Sequence, residues 1–297
     1  MHAETGNAIT IRFALPAPEL RPYVTTYYRT DAVCSPSEPY IEDYLHPEWS
    51  NLRILSDSLG EAAIGSDPLR RSPDFAVTGP TSRSTRFRIG SGRSWGIGLL
   101  PLGWAALIGA QACDYADRFV DGFEDSAFAG FRSLAQTLSV SSGDFDEELA
   151  LIEAHMGEVL ESGIETHEAI AEVNAALVDP EIGSVAGLAD RVGMNVRSLE
   201  RLSLRAFGFP PKILLRRQRF LRSLAQFMLD PSMKWLKTLD YQYHDQAHFV
   251  RDFQRFMGMS PSEYARLDKP ILIAAARARM EIAGEAVQGL HRPSAAN

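Results

Sequence analysis

Two groups of polar side chains in the last third of the sequence have the spacing of a single helix face. The groups are Arg197, Glu200 and Arg201, followed by Gln246, His248 and Arg251. Arginine can donate two parallel hydrogen bonds to guanine, glutamine can pair in the same way with adenine, and glutamate can accept from cytosine. Side chains of these types on one helix face indicate an element that reads base edges in a DNA groove.

The residues around the first group predict the helices that would present it. Ser184 can cap a helix over 185–192, and Asn195 can cap a second helix over 196–207. Gly193 lies between them, and glycine is the usual residue where a helix must end with a positive φ angle. Two helices joined by a glycine-bearing turn form a helix-turn-helix unit, in which the second helix enters a major groove.

The same pattern occurs a second time, at an offset of 50 residues. Residues of the same type then coincide: Asp190 with Asp240, Arg201 with Arg251, Arg205 with Arg255, Gly208 with Gly258, and Pro211 with Pro261. An internal repeat of this kind indicates that one supersecondary unit occurs twice. We therefore expect a second helix-turn-helix unit that ends near residue 266.

The second copy differs from the first at its turn. Asp245 is the natural cap of a helix over 246–257, but Tyr241-Gln242-Tyr243 stands where the first copy has its glycine. Two explanations are open: the turn is wider than in the first copy, or Gln242 adopts the left-handed conformation.

A long helix is predicted between the two units, from Pro211 to Leu229. A stiff helix of this length can hold two reading helices about one DNA turn apart, which is roughly 34 Å. Phosphate contacts position a protein on DNA without reading its sequence. We expect these contacts from Arg205 and from the basic run between Arg216 and Arg222.

Residues 184–266 resemble the DNA-binding domain of the AraC-type (arabinose regulator) transcription factors. The match is closest at Tyr243-His244-Asp245-Gln246-Ala247-His248-Phe249, Arg251-Asp252-Phe253 and Phe256-Met257-Gly258-Met259-Ser260-Pro261-Ser262-Glu263-Tyr264. In that family, outward residues of both reading helices contact bases. The resemblance implies this role for Arg197, Glu200, Arg201, Gln246, Ala247, His248 and Arg251. Two positions depart from the family pattern: Gln242 in the turn, and Ser203 where an aromatic residue is common.

The N-terminal part of the sequence is predicted to be rich in β-strands. Apolar or alternating runs indicate strands at 23–30, 52–56, 75–79, 84–90 and 95–100. Residues 1–20 are interpreted as a lead-in, 31–50 as a loop, and Gly90-Ser91-Gly92 as a hairpin turn. Stretches 45–54, 77–89 and 95–109 resemble the β-rich sensor regions of some AraC-type regulators, which bind a small effector, dimerise, or do both.

Helices are predicted after residue 125. One apolar stripe, which either packs within the chain or forms a dimer seam, consists of Phe145, Leu149, Ile152, Met156 and Val159. It spans barely two heptads, which favours packing within the chain. Further helices are predicted over 165–178 and 269–288, and the tail 289–297 is expected to be disordered.

The charge of the chain is unevenly distributed. The net charge of −8 combines +7 over residues 184–270 with −15 elsewhere. A basic domain in an acidic chain indicates a polyanionic partner for the basic part. Residues 95–113 carry no charge, but their glycines and Pro101 favour a buried strand, a turn and a short helix over 104–113 rather than a membrane span.

Other kinds of chemistry have weaker support in the sequence. His244 and His248 have the spacing of helical zinc ligands, but no further ligand follows at metal spacing. His46, close to Glu48, is interpreted as a turn residue, although an enzymatic acid/base pair or part of an effector pocket is also open. Neither a metal nor a cofactor is expected. Two cysteines and the absence of a signal-peptide pattern favour a reducing compartment, the bacterial cytoplasm.

We therefore predict an α+β protein that acts as a sequence-specific, DNA-binding transcriptional regulator. Its predicted parts are a β-rich sensor or dimerisation domain (1–125), a helical connector (126–183), an all-α domain of two helix-turn-helix units joined by a long helix (184–268), and a C-terminal helix and tail (269–297). Double-stranded DNA is the expected partner. A homodimer, a small-molecule effector and RNA polymerase are further partners that the resemblance suggests. The alternative is an N-terminal half that is enzyme-like or purely oligomerising.

Overall fold

The computed structural model describes residues 7–57, 59–161, 168–229 and 240–292. Within these ranges the N-terminal part forms two antiparallel sheets. The strands are β1 (Ala8–Ala14), β2 (Val24–Val33), β3 (Ile41–Leu45), β4 (Asn51–Ser56), β5 (Gly60–Ile64), β6 (Arg70–Arg71), β7 (Phe75–Thr78), β8 (Thr85–Ile89), β9 (Gly92–Leu99) and β10 (Phe119–Asp121). One sheet has the order β1-β2-β9-β4-β7-β10, and the other has the order β3-β8-β5-β6.

The five predicted strands are present as β2, β4, β7, β8 and β9. The interpretations of 1–20 as a lead-in and 31–50 as a loop are wrong, because β1 and β3 lie within them. In β3, Ile41-Glu-Asp-Tyr-Leu45, two acidic residues lower the strand propensity. Pairing with β8, which places Ile41 opposite Ile89, overrides that local preference.

The hairpin predicted at Gly90-Ser91-Gly92 is also wrong. Strand β8 pairs with β3 and β5, whereas β9 pairs with β2 and β4. The turn therefore carries the chain from one sheet to the other, and this leaves a space between the sheets.

The helices follow the strands in the chain. The longer ones are α1 (Arg132–Val140), α2 (Phe145–Glu161), α3 (Glu168–Val178), α4 (Val185–Arg191), α5 (Val196–Phe207), α6 (Pro211–Leu229), α7 (Gln246–Met257), α8 (Pro261–Arg266) and α9 (Pro270–Ala283). Short helical turns lie at Pro18–Leu20, Pro101–Gly103, Trp104–Ile108, Ala112–Tyr115, Ser126–Phe131 and Gln288–Leu290. The helix predicted over 104–113 is thus broken into two short pieces. No described helix is long and apolar enough to cross a membrane.

The apolar stripe of α2 packs within the chain, as the length of the stripe suggested. Ile152 and Met156 are fully buried in the core of the β-rich domain. Phe145 lies against Trp95, with 5.0 Å between their ring centroids. Helix α3, in contrast, packs with the first helix-turn-helix unit, where Leu177 and Leu199 share a core.

Two predictions for the C-terminal segment differ from the structure, namely the helix over 269–288 and the disordered tail over 289–297. Helix α9 ends before Gly284, which has a φ of +71°, so it is shorter than 269–288. The expectation of disorder from 289 is wrong for residues 289–292, since Leu290 and His291 are buried. The Gln218 amide donates to the Gly289 carbonyl at 2.8 Å and holds this segment against α6. Residues 293–297 lie outside the described ranges.

Candidate nucleic-acid interface and interior cavity

Helix α5 exposes the side chains that the sequence predicted to read DNA. The helix begins at Asn195, whose side chain accepts a hydrogen bond from the Ser198 amide at 2.9 Å. Its apolar face, which includes Leu199 and Phe207, is buried. The opposite face exposes Arg197, Glu200, Arg201 and Arg205. Within the described part of the chain, none of these four side chains forms an ion pair, so their charges remain available to a partner.

Helix α7 is built in the same way. Asp245 caps it by accepting from the His248 amide at 2.6 Å, and Gly258 ends it with a φ of +72°. Phe249 and Phe253 are buried, while the side chains of Gln246, Ala247 and Arg251 are exposed. The structure thus presents both predicted groups on matched helices.

His248 differs from its neighbours on α7 because it is partly buried. Its Nε2 lies 3.0 Å from Nη2 of Arg219, and its ring meets the edge of Tyr243 at 5.2 Å between centroids. Because guanidinium groups only donate hydrogen bonds, Nε2 is the acceptor and the proton resides on Nδ1. Burial and the Arg219 charge lower the pKa of His248, so the imidazole is neutral.

The described part of the second unit's turn, residues 240–245, contains no left-handed residue. Among the described non-glycine residues, positive φ angles occur only at Asp57 and Asp117, so Gln242 is not left-handed. Instead the Gln242 amide donates to the carbonyl of Pro180, and the Tyr241 hydroxyl lies 3.0 Å from a Glu181 carboxylate oxygen. The turn is therefore fastened to the segment that precedes the first unit. By the offset of 50, the first helix of the second unit corresponds to residues 235–242, of which 235–239 lie outside the described ranges.

Three arginines of the basic run on α6 form ion pairs with the second helix-turn-helix unit. Arg216 and Arg219 both bind Asp252 of α7, and Arg222 binds Asp240, where Nε and Oδ2 are 2.5 Å apart. The side chain of Asp252 is fully buried, and the Tyr243 hydroxyl also donates to it at 3.1 Å. These arginines orient the second reading helix on the long helix, and their contacts with phosphates stay a prediction.

Sequence reasoning missed this role for Asp252. A buried carboxylate requires cationic or hydrogen-bonding partners, and basic residues three apart on a neighbouring helix can supply them. An acid that interrupts the apolar spacing of α7 was the available signal. The identity of its partners depends on how α6 and α7 cross.

Arg217 connects α6 to the β-rich domain. Its side chain is fully buried, and Nη1 donates to the carbonyls of Thr81 at 2.9 Å and Glu48 at 3.3 Å. The guanidinium lies over the ring of Trp49, 3.8 Å from the centroid. Burial lowers the pKa of Arg217 to about 9.

The second helix-turn-helix unit also contacts the β-rich domain directly. Nε2 of His46 and the hydroxyl of Tyr264 are 2.8 Å apart, and both side chains are buried. The Ser84 hydroxyl donates to the Met257 carbonyl at 3.0 Å, at the end of α7. Burial and the Lys269 charge lower the pKa of His46 to about 3, so its ring is neutral. His46 therefore joins the β-rich domain to the second helix-turn-helix unit.

A cavity of about 150 Å³ lies between the two sheets. Its wall is mostly apolar, with contributions from both sheets and from α9. Representative lining residues are Ile11, Phe13, Leu55, Phe87, Ile271 and Ala275. A mostly apolar cavity with a few polar groups is the usual form of a small-molecule site.

Comparison with known families decides the class of the helical module. Residues 188–267 match a family model described as a helix-turn-helix domain. The chain therefore contains a helix-turn-helix domain over these residues.

Solved structures provide a more distant likeness. ToxT from Vibrio cholerae is 10% identical, with a TM-score of 0.42, over 88% of this chain and 98% of ToxT. The AraC-like transcriptional activator CuxR is 10% identical, with a TM-score of 0.27, over 73% of this chain and 87% of CuxR. No curated protein matches the chain. Among the described residues, no group of three or more His, Cys, Asp or Glu side chains is arranged to hold a metal ion.

Proposed function

We propose that the protein is an AraC-type, DNA-binding transcriptional regulator and that it places α5 and α7 in successive major grooves of one DNA site. The observation that carries the proposal is the pair of exposed reading faces, each on a capped helix and each packed against α6. Helix α6 has 19 residues, so it is about 28 Å long and comparable with the roughly 34 Å of one DNA turn.

The proposed contacts differ between the two helices. On α5, Arg197, Glu200 and Arg201 meet base edges, and Arg205 meets a phosphate. On α7, the groups that meet bases are Gln246, Ala247, His248 and Arg251. Because His248 is held by Arg219, we expect it to be the most constrained member of this set. The α5 face carries more charge, so we expect the first unit to dominate base specificity.

Selection of bound sites from random DNA tests this proposal. Arg201→Ala and Arg251→Ala should each lose about 1–3 kcal/mol on the selected site and relax the preference at one base. Arg201→Ala should lose more discrimination than Arg251→Ala. Arg277→Ala is the matched control, since Arg277 is exposed on α9 and off both reading faces. Equal losses on all sequences would mean that these arginines meet only phosphates.

The interior cavity supports a second proposal, that a small molecule controls the regulator. Such a ligand would stabilise the folded chain by roughly 2.7 kcal/mol at a hundredfold excess over its Kd. A thermal-shift screen of the full chain with small metabolites measures this effect. An oligomerising domain without a ligand would show no shift, and turnover of a compound would favour the enzyme alternative.

A further inference from the structure

Helix α9, which follows the DNA-binding module, has two buried faces that contact different parts of the protein. Ile271, Ala275 and Arg279, spaced four apart, line the cavity between the sheets. Leu272, Ala276 and Met280, one position further along, pack into the core of the second helix-turn-helix unit. That core also contains Phe253 of α7 and Tyr264 of α8. One helix is thus a wall of the cavity and part of the support of a reading helix.

The start of α9 is fastened to the β-rich domain. Lys269, the residue at the cap position, provides no side-chain cap. Asp43 of β3 takes that role, since its Oδ2 accepts from the amides of Ile271 at 2.7 Å and Leu272 at 2.9 Å. Asp43 is fully buried. The helix therefore cannot shift against the cavity without breaking these two hydrogen bonds.

The charged groups of the cavity wall are unequally paired. Arg53 binds Glu48 at 2.5 Å. Arg88 lies 3.9 Å from Glu61, the other carboxylate of the wall, and binds Glu42, outside the wall, at 2.6 Å. Arg279, only 9% exposed, has no carboxylate within 4 Å in the described part of the chain. Its guanidinium donates to the Thr26 hydroxyl at 3.0 Å and lies 4.7 Å from the Phe13 ring centroid.

A buried cation with no carboxylate in contact is unfavourable, because it has lost its hydration while Glu48, whose charge acts on Arg279, is bound to Arg53. An anionic group entering the cavity would supply that charge and accept two parallel hydrogen bonds from the guanidinium fork. The apolar remainder of the wall would contact an apolar body. A cavity of about 150 Å³ accepts a molecule about the size of benzene.

We propose that the cavity binds a ring-sized organic monoanion, such as a small aromatic carboxylate, with its acid group on Arg279, and that α9 transmits this occupancy to the second helix-turn-helix unit. The inference rests on the proposed effector control and specifies the ligand class and the element that responds. Both faces of α9 belong to a single rigid helix, so a change on the cavity face alters the packing beneath α7.

Binding is tested on the full chain by calorimetry with benzoate and with benzyl alcohol, its neutral counterpart of the same size. Benzoate should bind at least tenfold more tightly than benzyl alcohol. Arg279→Met should weaken benzoate binding at least tenfold, because the charge-assisted hydrogen bonds are lost. Arg277→Met, a change of the same type on the exposed face of α9, should leave it unchanged. Equal affinity for benzyl alcohol, or undiminished binding by Arg279→Met, would overturn the proposal.

We expect Arg279→Met to fold, so a loss of benzoate binding by this variant would not be caused by unfolding. Exchange of an unpaired buried cation for an apolar side chain is often neutral or stabilising. Ala275→Leu gives a second test, since it fills the space beside Arg279 and keeps the charge. It should weaken benzoate binding at least tenfold by steric exclusion. Benzoate binding that Ala275→Leu leaves unchanged would show that the ligand lies elsewhere.

The response of α9 is tested by measuring DNA affinity with and without saturating benzoate. The wild-type chain should change its DNA Kd by about 5–150-fold, the usual range of coupling between sites, and Arg279→Met should not respond. Site selection by the ligand-free chain tests DNA reading separately, so the two proposals fail independently. Benzoate binding without any change in DNA affinity would refute the role of α9.

Discussion

Replacing Asp252 by asparagine should destabilise the protein and loosen the second reading helix. The change keeps the size of the side chain and removes its charge. Asp252 is fully buried between α6 and α7, where it binds Arg216, Arg219 and Tyr243. Both guanidinium groups would lose their only described carboxylate partner.

The expected loss in the free energy of unfolding depends on how much hydration each arginine can regain in Asp252→Asn. Loss of one partner of a buried ion pair costs about 3–5 kcal/mol. The Arg216 side chain is 29% exposed and can regain hydration, whereas that of Arg219 is 12% exposed and cannot do so without moving. We therefore expect a loss near the lower limit, about 3 kcal/mol, which is large against a typical free energy of unfolding of about 5–15 kcal/mol.

Urea unfolding of the full chain measures this loss, with an unchanged m-value as the sign that the folded state is preserved. Asp190→Asn is the control, because Asp190 is an exposed aspartate of the first unit. A double-mutant cycle with Arg219→Met should give a coupling of about 0.5–3 kcal/mol. A loss below about 1 kcal/mol, or a coupling near zero, would refute the role assigned to Asp252.

Three further predictions concern the core, the pH dependence and the charge of the protein. Ile152→Glu should give misfolded protein and not soluble monomers, since Ile152 is fully buried, whereas Leu151→Glu at a 44% exposed position should fold; gel filtration separates the outcomes. Burial raises the pKa of Asp43 to about 6, so its contribution to stability should be present below about pH 4 and fall by up to about 3 kcal/mol as the pH rises to 6 and above. The free energy of unfolding of Asp43→Asn should lack this pH-dependent contribution. Identical pH profiles of unfolding for the wild-type chain and for Asp43→Asn would contradict the prediction. DNA binding should weaken steeply with salt, as counterion release requires, and a salt-independent Kd would contradict the phosphate contacts.

The helix-turn-helix geometry could be predicted from the sequence because its determinants are local. Asn195 and Asp245 cap α5 and α7 by bonding amides three residues away, and Gly208 and Gly258 end them. The spacing of apolar residues determines which face is buried. The outward positions of the reading residues follow from that face, so their exposure was predictable without knowledge of the rest of the molecule.

The β-rich domain was less predictable, because its strands are short and their pairing is not local. Strand β3 carries two acidic residues and was assigned to a loop. One of them, Asp43, is buried because it caps α9, more than two hundred residues later in the chain. No local pattern identifies a partner at that distance.

The sequence alone determined the two capped reading helices, the long helix between them and the chemistry of their exposed faces, because each depends on residues within a few turns of the chain. Only the tertiary structure decided the partners of charged groups far apart in sequence. It paired Arg216 and Arg219 with Asp252 and Arg222 with Asp240, and it placed Arg279 in a cavity between two sheets. The physical reason is that a buried charge is defined by its neighbours in space, and those neighbours come from other elements.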